Sequence, residues 1–292
     1  MAQLIEPSVE LITEKDNYKR IELAGRTCYK SEDKITADSA KSFVVRMFKN
    51  KHFAMLEHGI YYYICTYKPS NHVAKDIIRF IKEIPETNVT ERMNVEDDKM
   101  EVLLSANLRS LIENGLVFYC AEVDDFQQTD TFGQYFKPVE YSLLSLTPEE
   151  QRVHKYTTMR FITDRGVTHE MVRHRKFSYG QESTRYVKYD NQDIKFIKPA
   201  NYDEWPLDVQ QCYLTLCETT ENAYDYLRNA GLMPQEARGV LPNALKTEIV
   251  VTGNEQEWLH FFELRCAKNA HPDIQVVANK AESLYYSMKN YG

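Results

Sequence analysis

RHRKFSYGQESTRY, Arg173 to Tyr186, gathers three arginines (Arg173, Arg175, Arg185), Lys176, His174, the hydroxyls of Ser178, Ser183 and Thr184, and Gln181 around Gly180. Four cations stand against one acid, Glu182, so the segment is locally positive in a chain whose net charge is -7. Guanidinium forks take phosphate oxygens two at a time, and hydroxyls and backbone N–H groups add donors, so these residue types outline an anion site. The plainer reading of a basic run is a solvated face. Spacing argues against it. A solvated helix face scatters Lys and Glu, whereas here cations alternate with aromatics, small hydroxyls and a glycine that stops a helix.

The same run fills every fixed position of RHRxxSxxxxSxR, and the chain resembles the flavin-dependent thymidylate synthases that carry this signature. GRTCYKS (25–31), HFAMLEH (52–58), DRGVTHEMV (164–172), ARGVLPNALKTEIVVTGN (237–254) and WLHFFELR (258–265) follow the family's order. The likeness covers 1–65 and 156–292. Residues 68–153 match poorly and read as a long insertion. The resemblance implies one large α+β domain spanning 1–292, with a central mixed or antiparallel sheet and flanking helices.

It also implies a reaction: reductive methylation of dUMP to dTMP, with 5,10-methylenetetrahydrofolate giving the carbon and NADPH reducing a bound FAD. Carried over by position, Arg173, His174 and Arg175 are expected at the FAD, with Arg173 also reaching the nucleotide. Glu170 and Gln181, Glu182, Ser183, Thr184 and Arg185 are expected at the dUMP, with Ser183 and Arg185 as phosphate contacts. Gln181 is expected at the FAD as well. Arg238 resembles an arginine lent by a neighbouring subunit, and Arg265 the arginine that favours ionisation of uracil, hence the expected catalytic side chain. Glu57, Asn254, Gln256 and His260 complete the expected FAD contacts. Some relatives carry a hydroxyl residue at Ala54, an arginine at Gln256 and an asparagine at His260. A homotetramer with shared active sites is implied too.

Ser183 has no identifiable base in the local sequence, which makes a hydrogen-bonding role more economical than a nucleophilic one. His52, Glu57 and His58 invite a metal reading, but six residues between the histidines match no simple ligand pair, and no metal is expected. The six cysteines show no metal spacing and read as reduced and packing. The Pro-Cys pairing of the unrelated cysteine-dependent thymidylate synthases is absent. An acidic chain is a poor general nucleic-acid binder, so RNA or DNA is not an expected partner. A flavin reductase without methyl transfer is the remaining enzyme alternative. No apolar run has membrane-spanning length, and MAQLIEPSVELITEK lacks the basic start and apolar stretch of a secretory leader, so the cytoplasm is the expected location.

Along the chain, Val9–Thr13 alternates as a strand, and 18–26 and 36–51 show helical spacing. Gly59–Tyr67 is aromatic and β-branched, hence a strand. Within the insertion, 83–101 reads as solvated loop and helix surface. Residues 100–114 read as a helix through Leu103, Leu104, Leu108 and Leu111, and 117–122 as a strand. Residues 155–163 form a strand, after which Asp164 or Thr168 caps a helix that places Glu170 and Arg173 on one face. Helices are expected over 208–227, after Pro234 with Arg238 aboard, around Trp258–Arg265, and after Pro272. A strand over 247–252 leads to a Gly253-Asn254 turn.

Overall fold

The structure, a computed structural model, describes residues 3–189 and 194–291. The first third runs β1 (Gln3–Ile5), β2 (Ser8–Ile12), α1 (Asn17–Tyr29), α2 (Ser39–Lys49), a 3-10 turn over Phe53–His58, and β3 (Ile60–Tyr67). Asp16 starts α1 by accepting from the backbone N–H groups of Tyr18 and Lys19. Residues 68–153 follow as α3 (His72–Glu83), β4 (Thr87–Asn94), β5 (Lys99–Asn107), α4 (Leu108–Glu113), β6 (Val117–Cys120), β7 (Asp125–Gln128), α5 (Asp130–Tyr135), β8 (Lys137–Pro138) and α6 (Pro148–His154). The remainder comprises β9 (Tyr156–Asp164), α7 (Arg165–Met171), β10 (Ser178–Gln181), β11 (Lys195–Ile197), α8 (Leu207–Asn229), α9 (Pro234–Ala237), β12 (Lys246–Asn254), α10 (Glu255–Arg265) and α11 (Pro272–Tyr291).

The expected α+β class holds, with helices flanking antiparallel sheets, and among the described residues the strands form two four-stranded sheets and two two-stranded ones. The sheet that carries the basic segment has the order β10-β12-β9-β2, and β12 pairs with β9 from Lys246 opposite Asp164 to Asn254 opposite Tyr156. Period-two alternation sends Met159, Phe161, Ile249 and Val251 to one face. There they meet Trp258 and Phe261 of α10 and Ile274, Val277 and Tyr285 of α11. The other face, with Thr158, Arg160, Glu248 and Thr252, is turned toward α1 and His58. β12 is therefore covered on both sides, and its β-branched run suits that position.

The second sheet, β4-β5-β3-β8, is built almost wholly by residues 68–153 around β3. Here two expectations fail. Residues 100–107 form a central strand instead of a helix, with Val102 to Asn107 all buried, and the helix is only Leu108–Glu113, begun by the Asn107 side chain accepting from Ser110 N–H. A strand buried on both faces reads as a continuous apolar run, which periodicity does not separate from a buried helix. The acidic stretch 83–101 likewise contains β4 and the start of β5, with Glu91 and Arg92 ion-paired to Lys82 and Glu150. A third, smaller core joins Phe196 and Leu245 with Cys217 and Tyr224 of α8, beside the parallel pair β1 and β11.

Candidate active site

The basic segment is positioned from both ends. Asp164 accepts from Val167 N–H at 2.8 Å and starts α7, which ends at Met171. The next residues turn tightly, with His174 N–H bonded to Met171 C=O at 3.0 Å and Phe177 N–H to His174 C=O at 3.2 Å. The Tyr179 hydroxyl donates to the carbonyls of both Met171 and His174, tying the turn to the following strand. Phe177 lies beneath it, its ring 4.6 Å from that of Trp258. A Cβ on Gly253 would stand 2.2 Å from the Phe177 ring, so only glycine there lets the ring lie against β12. The expected Gly253-Asn254 turn is instead the end of β12, where Asn254 caps α10 by accepting from Glu257 N–H at 3.0 Å. Gly180 sits in β10, where its missing Cβ allows the approach of the Ala24 backbone and of His58.

Clamped this way, the turn presents Arg173, His174, Arg175 and Lys176 to a cleft of about 940 Å³. Its opposite walls are α10, with Gln256, Glu257, His260, Glu263 and Arg265, and α6, with Arg152. Arg265 is the best-anchored cation there. Its Nε donates to His174 Nε2 at 3.0 Å, one terminal nitrogen donates to the Glu170 carboxylate at 2.7 Å, and the other to the Glu170 carbonyl at 3.2 Å. Three of five guanidinium N–H groups are thereby used, leaving one on each terminal nitrogen. For His174 Nε2 to accept, the imidazole must be neutral. Burial first, then the charges of Arg265 and His260, pull its pKa down to about 4. Arg152, Arg173 and Arg175 have neither an ion pair nor a side-chain hydrogen bond among the described residues.

The structure thus brings Glu170, Arg173, His174, Arg175, Gln256, His260 and Arg265 together. The other expected residues lie off this cleft. The Gln181 amide donates to Thr168 Oγ1 at 2.9 Å. Arg238 donates to Thr184 Oγ1 at 3.3 Å, Ser183 Oγ accepts from Arg185 N–H, and the Arg185 guanidinium lies 5.3 Å from the Tyr186 ring centre. Together they form a second polar patch next to the end of α1, where Ser183 N–H bonds to Cys28 C=O. Glu182, expected at the nucleotide, is 1% exposed, with one oxygen bonded to the Tyr189 hydroxyl at 2.7 Å and the other to Lys246 at 3.0 Å. It belongs to a partly buried network in which Lys30, Arg160 and Lys246 balance Glu32, Glu182 and Glu248. The Asn254 side chain is occupied by its cap and by the Val153 carbonyl.

Glu57 is bound at 2.7 Å by Arg109 of α4, a contact that sequence reading missed because Arg109 lies in the insertion. Arg152 was missed because it lies outside the motifs that carry the resemblance, and its sequence signal is the capping box Thr147–Glu150 that announces its helix. His52, Glu57 and His58 do not converge: His52 meets the Tyr29 hydroxyl, and His58 is buried against Thr252.

A family model described as thymidylate synthase complementing protein matches residues 142–287, which include every wall of the cleft. The curated flavin-dependent thymidylate synthase of Geobacter sulfurreducens is 36% identical over 114 residues, covering 39% of this chain and 49% of that protein. Those of Mycobacteroides abscessus (38% over 127 residues) and Thermococcus onnurineus (36% over 115 residues) cover 39% of this chain and 50% and 46% of theirs. The chain spans about half the length of the curated relatives it matches. A crystal structure of the UMP/dUMP methylase PolB from Streptomyces cacaoi, bound with 5-Br dUMP, covers 98% of this chain and 92% of its own at 15% identity and a TM-score of 0.42, too distant a likeness to carry weight. With the signature turn, the wall of α10 and the sheet that fixes them all inside the matched region, the chain belongs to the thymidylate synthase complementing protein family, that of the flavin-dependent thymidylate synthases.

Proposed function

We propose that this protein is a flavin-dependent thymidylate synthase, converting dUMP to dTMP with 5,10-methylenetetrahydrofolate as carbon donor and NADPH as reductant of a bound FAD. Family membership and the names of the relatives support the chemistry. The single observation that carries it at this chain's own residues is Arg265, held between Glu170 and a neutral His174 on the wall of a cleft with unpaired guanidinia.

The cleft fits a flavin dinucleotide on two counts. Its volume of about 940 Å³ lies within the range of small-molecule sites, and Arg173 and Arg175 offer forks that no carboxylate among the described residues has taken. Arg173, His174, Arg175, Gln256 and His260 would hold the FAD. When bound, the flavin supplies the hydride chemistry that no side chain can perform. The protein's part is electrostatic. Arg265 is fixed by three bonds and keeps two N–H donors, suited to a uracil oxygen on which negative charge develops. Because His174 is neutral, it fixes Arg265 without adding a competing charge.

Arg185, Ser183, Arg238 and Gln181 are the proposed nucleotide contacts on the second patch. That they lie off the cleft supports a site completed across subunits, as a homotetramer would provide. Among the described residues no helix is long and apolar enough to cross a membrane. A cytoplasmic location remains part of the proposal. The test is direct. Purified protein should be yellow and be bleached by NADPH, and it should release tritium from dUMP labelled at carbon 5. Bleaching without tritium release would mean a flavin reductase, and colourless protein that binds single strands in a steeply salt-dependent way would mean a nucleic-acid binder.

A further inference from the structure

We infer that Arg152, on α6, is a diphosphate-binding residue of this cleft, completing with Arg173 and Arg175 a subsite for the pyrophosphate of a dinucleotide. The inference rests on the flavin reading for the identity of that dinucleotide.

Arg152 stands out by contrast with its neighbours. Glu150 closes the capping box with Thr147 and is ion-paired with Arg92. The Val153 carbonyl accepts from Asn254, and the Lys155 carbonyl from Glu255 N–H at 2.9 Å. The His154 ring is held by Ser105 at 2.8 Å and Thr90 at 2.9 Å, and its carbonyl by the Tyr62 hydroxyl at 3.0 Å. The helix is thus locked between the two sheets, while the Arg152 side chain, which lines the cleft, has no partner among the described residues. In a chain of net charge -7, carboxylates are plentiful, yet neither Glu257 nor Glu263 of the same cleft pairs with it. Two unpaired guanidinia on the turn already suit one phosphate. A third, arriving from a wall remote in sequence, suits a ligand with two adjacent phosphates and adds orientation, since both walls must be engaged together.

The full-length chain, freed of flavin, is titrated with FAD, riboflavin and inorganic pyrophosphate, as wild type, Arg152→Gln and Arg152→Lys. Loss of a charge-assisted contact should raise the Kd for FAD and for pyrophosphate about tenfold or more in Arg152→Gln, with part of the loss restored by Lys and riboflavin affinity unchanged. Thermal melting should be unaltered, since the side chain has no partner among the described residues to lose. Unchanged FAD and pyrophosphate affinity, or an equal loss for riboflavin, would overturn the inference. Wild-type protein that binds pyrophosphate through Arg152 but not FAD would keep the subsite and sink the flavin reading. Protein that binds neither would sink both.

Discussion

Replacing Arg265 with lysine removes the planar fork but keeps the charge, and so separates geometry from electrostatics. In the native protein Nε and one N–H on each terminal nitrogen hold the side chain to His174 and Glu170, leaving two N–H groups for the ligand. An ammonium on a flexible stem cannot satisfy the Glu170 carboxylate, the His174 nitrogen and a uracil oxygen in the same arrangement. Losing one preorganised donor at a developing oxyanion costs about 2.7–4 kcal/mol, so kcat should fall by about 10²–10³. Stability should change by about 1 kcal/mol or less, because the Arg265–Glu170 pair is partly exposed. Tritium release under saturating substrates reads the first quantity and a urea melt the second. An Arg265→Lys enzyme that turns over within about fivefold of wild type would refute the reasoning, since the two free donors would then be irrelevant to the barrier.

Three further outcomes follow from the geometry. Glu182→Gln should cost about 1.5–3 kcal/mol in a denaturant melt, because it breaks a buried charged hydrogen-bond pair, while leaving the KM for dUMP within about twofold; a large KM effect with unchanged stability would return Glu182 to the nucleotide. Gly253→Ala should cost about 1–3 kcal/mol, as a Cβ 2.2 Å from the Phe177 ring forces the ring off β12, and Phe177→Leu in the same chain should recover part of it; additive losses would contradict the contact. His58, His154 and His174 have pKa values lowered by burial to about 3, 4 and 4, below their unfolded value, so the unfolded chain binds more protons. Stability should therefore fall as pH drops from about 6.5 to 5, and a denaturation midpoint constant across that window would count against three neutral imidazoles.

The sheet that carries the site was readable because its strands obey simple patterns. Lys246–Asn254 is β-branched and Val9 alternates with polar neighbours, while caps and prolines mark α7, α9 and α11. The insertion defeated the same rules where a central strand resembles a helix in composition and where charged residues on β4 are paired rather than solvated. At the site, the turn and α10 came from a motif. What stayed hidden were contacts between segments far apart in the chain. No local pattern tells that Arg109 meets Glu57, that Arg152 shares a cleft with Arg175, or that Glu182, inside the motif, points away from solvent.

The distribution of paired and unpaired charge leaves a locally cationic cleft in an acidic chain. Behind the motif, three cations and three carboxylates cancel in a partly buried network, where Glu248 is pushed up by burial but held at about 2 by its bonds to Lys246 and Lys30. That network joins α1, β9 and β12 and carries no net charge. Within the cleft the balance differs: five cations, Arg152, Arg173, Arg175, Lys176 and Arg265, stand against three carboxylates, Glu170, Glu257 and Glu263. Low-dielectric walls concentrate the field of such an excess at the cleft mouth, so an anionic ligand meets attraction there despite the net charge of -7. Helix α6 contributes to this directly, because without it the excess would drop by one guanidinium and the cleft would lose a wall.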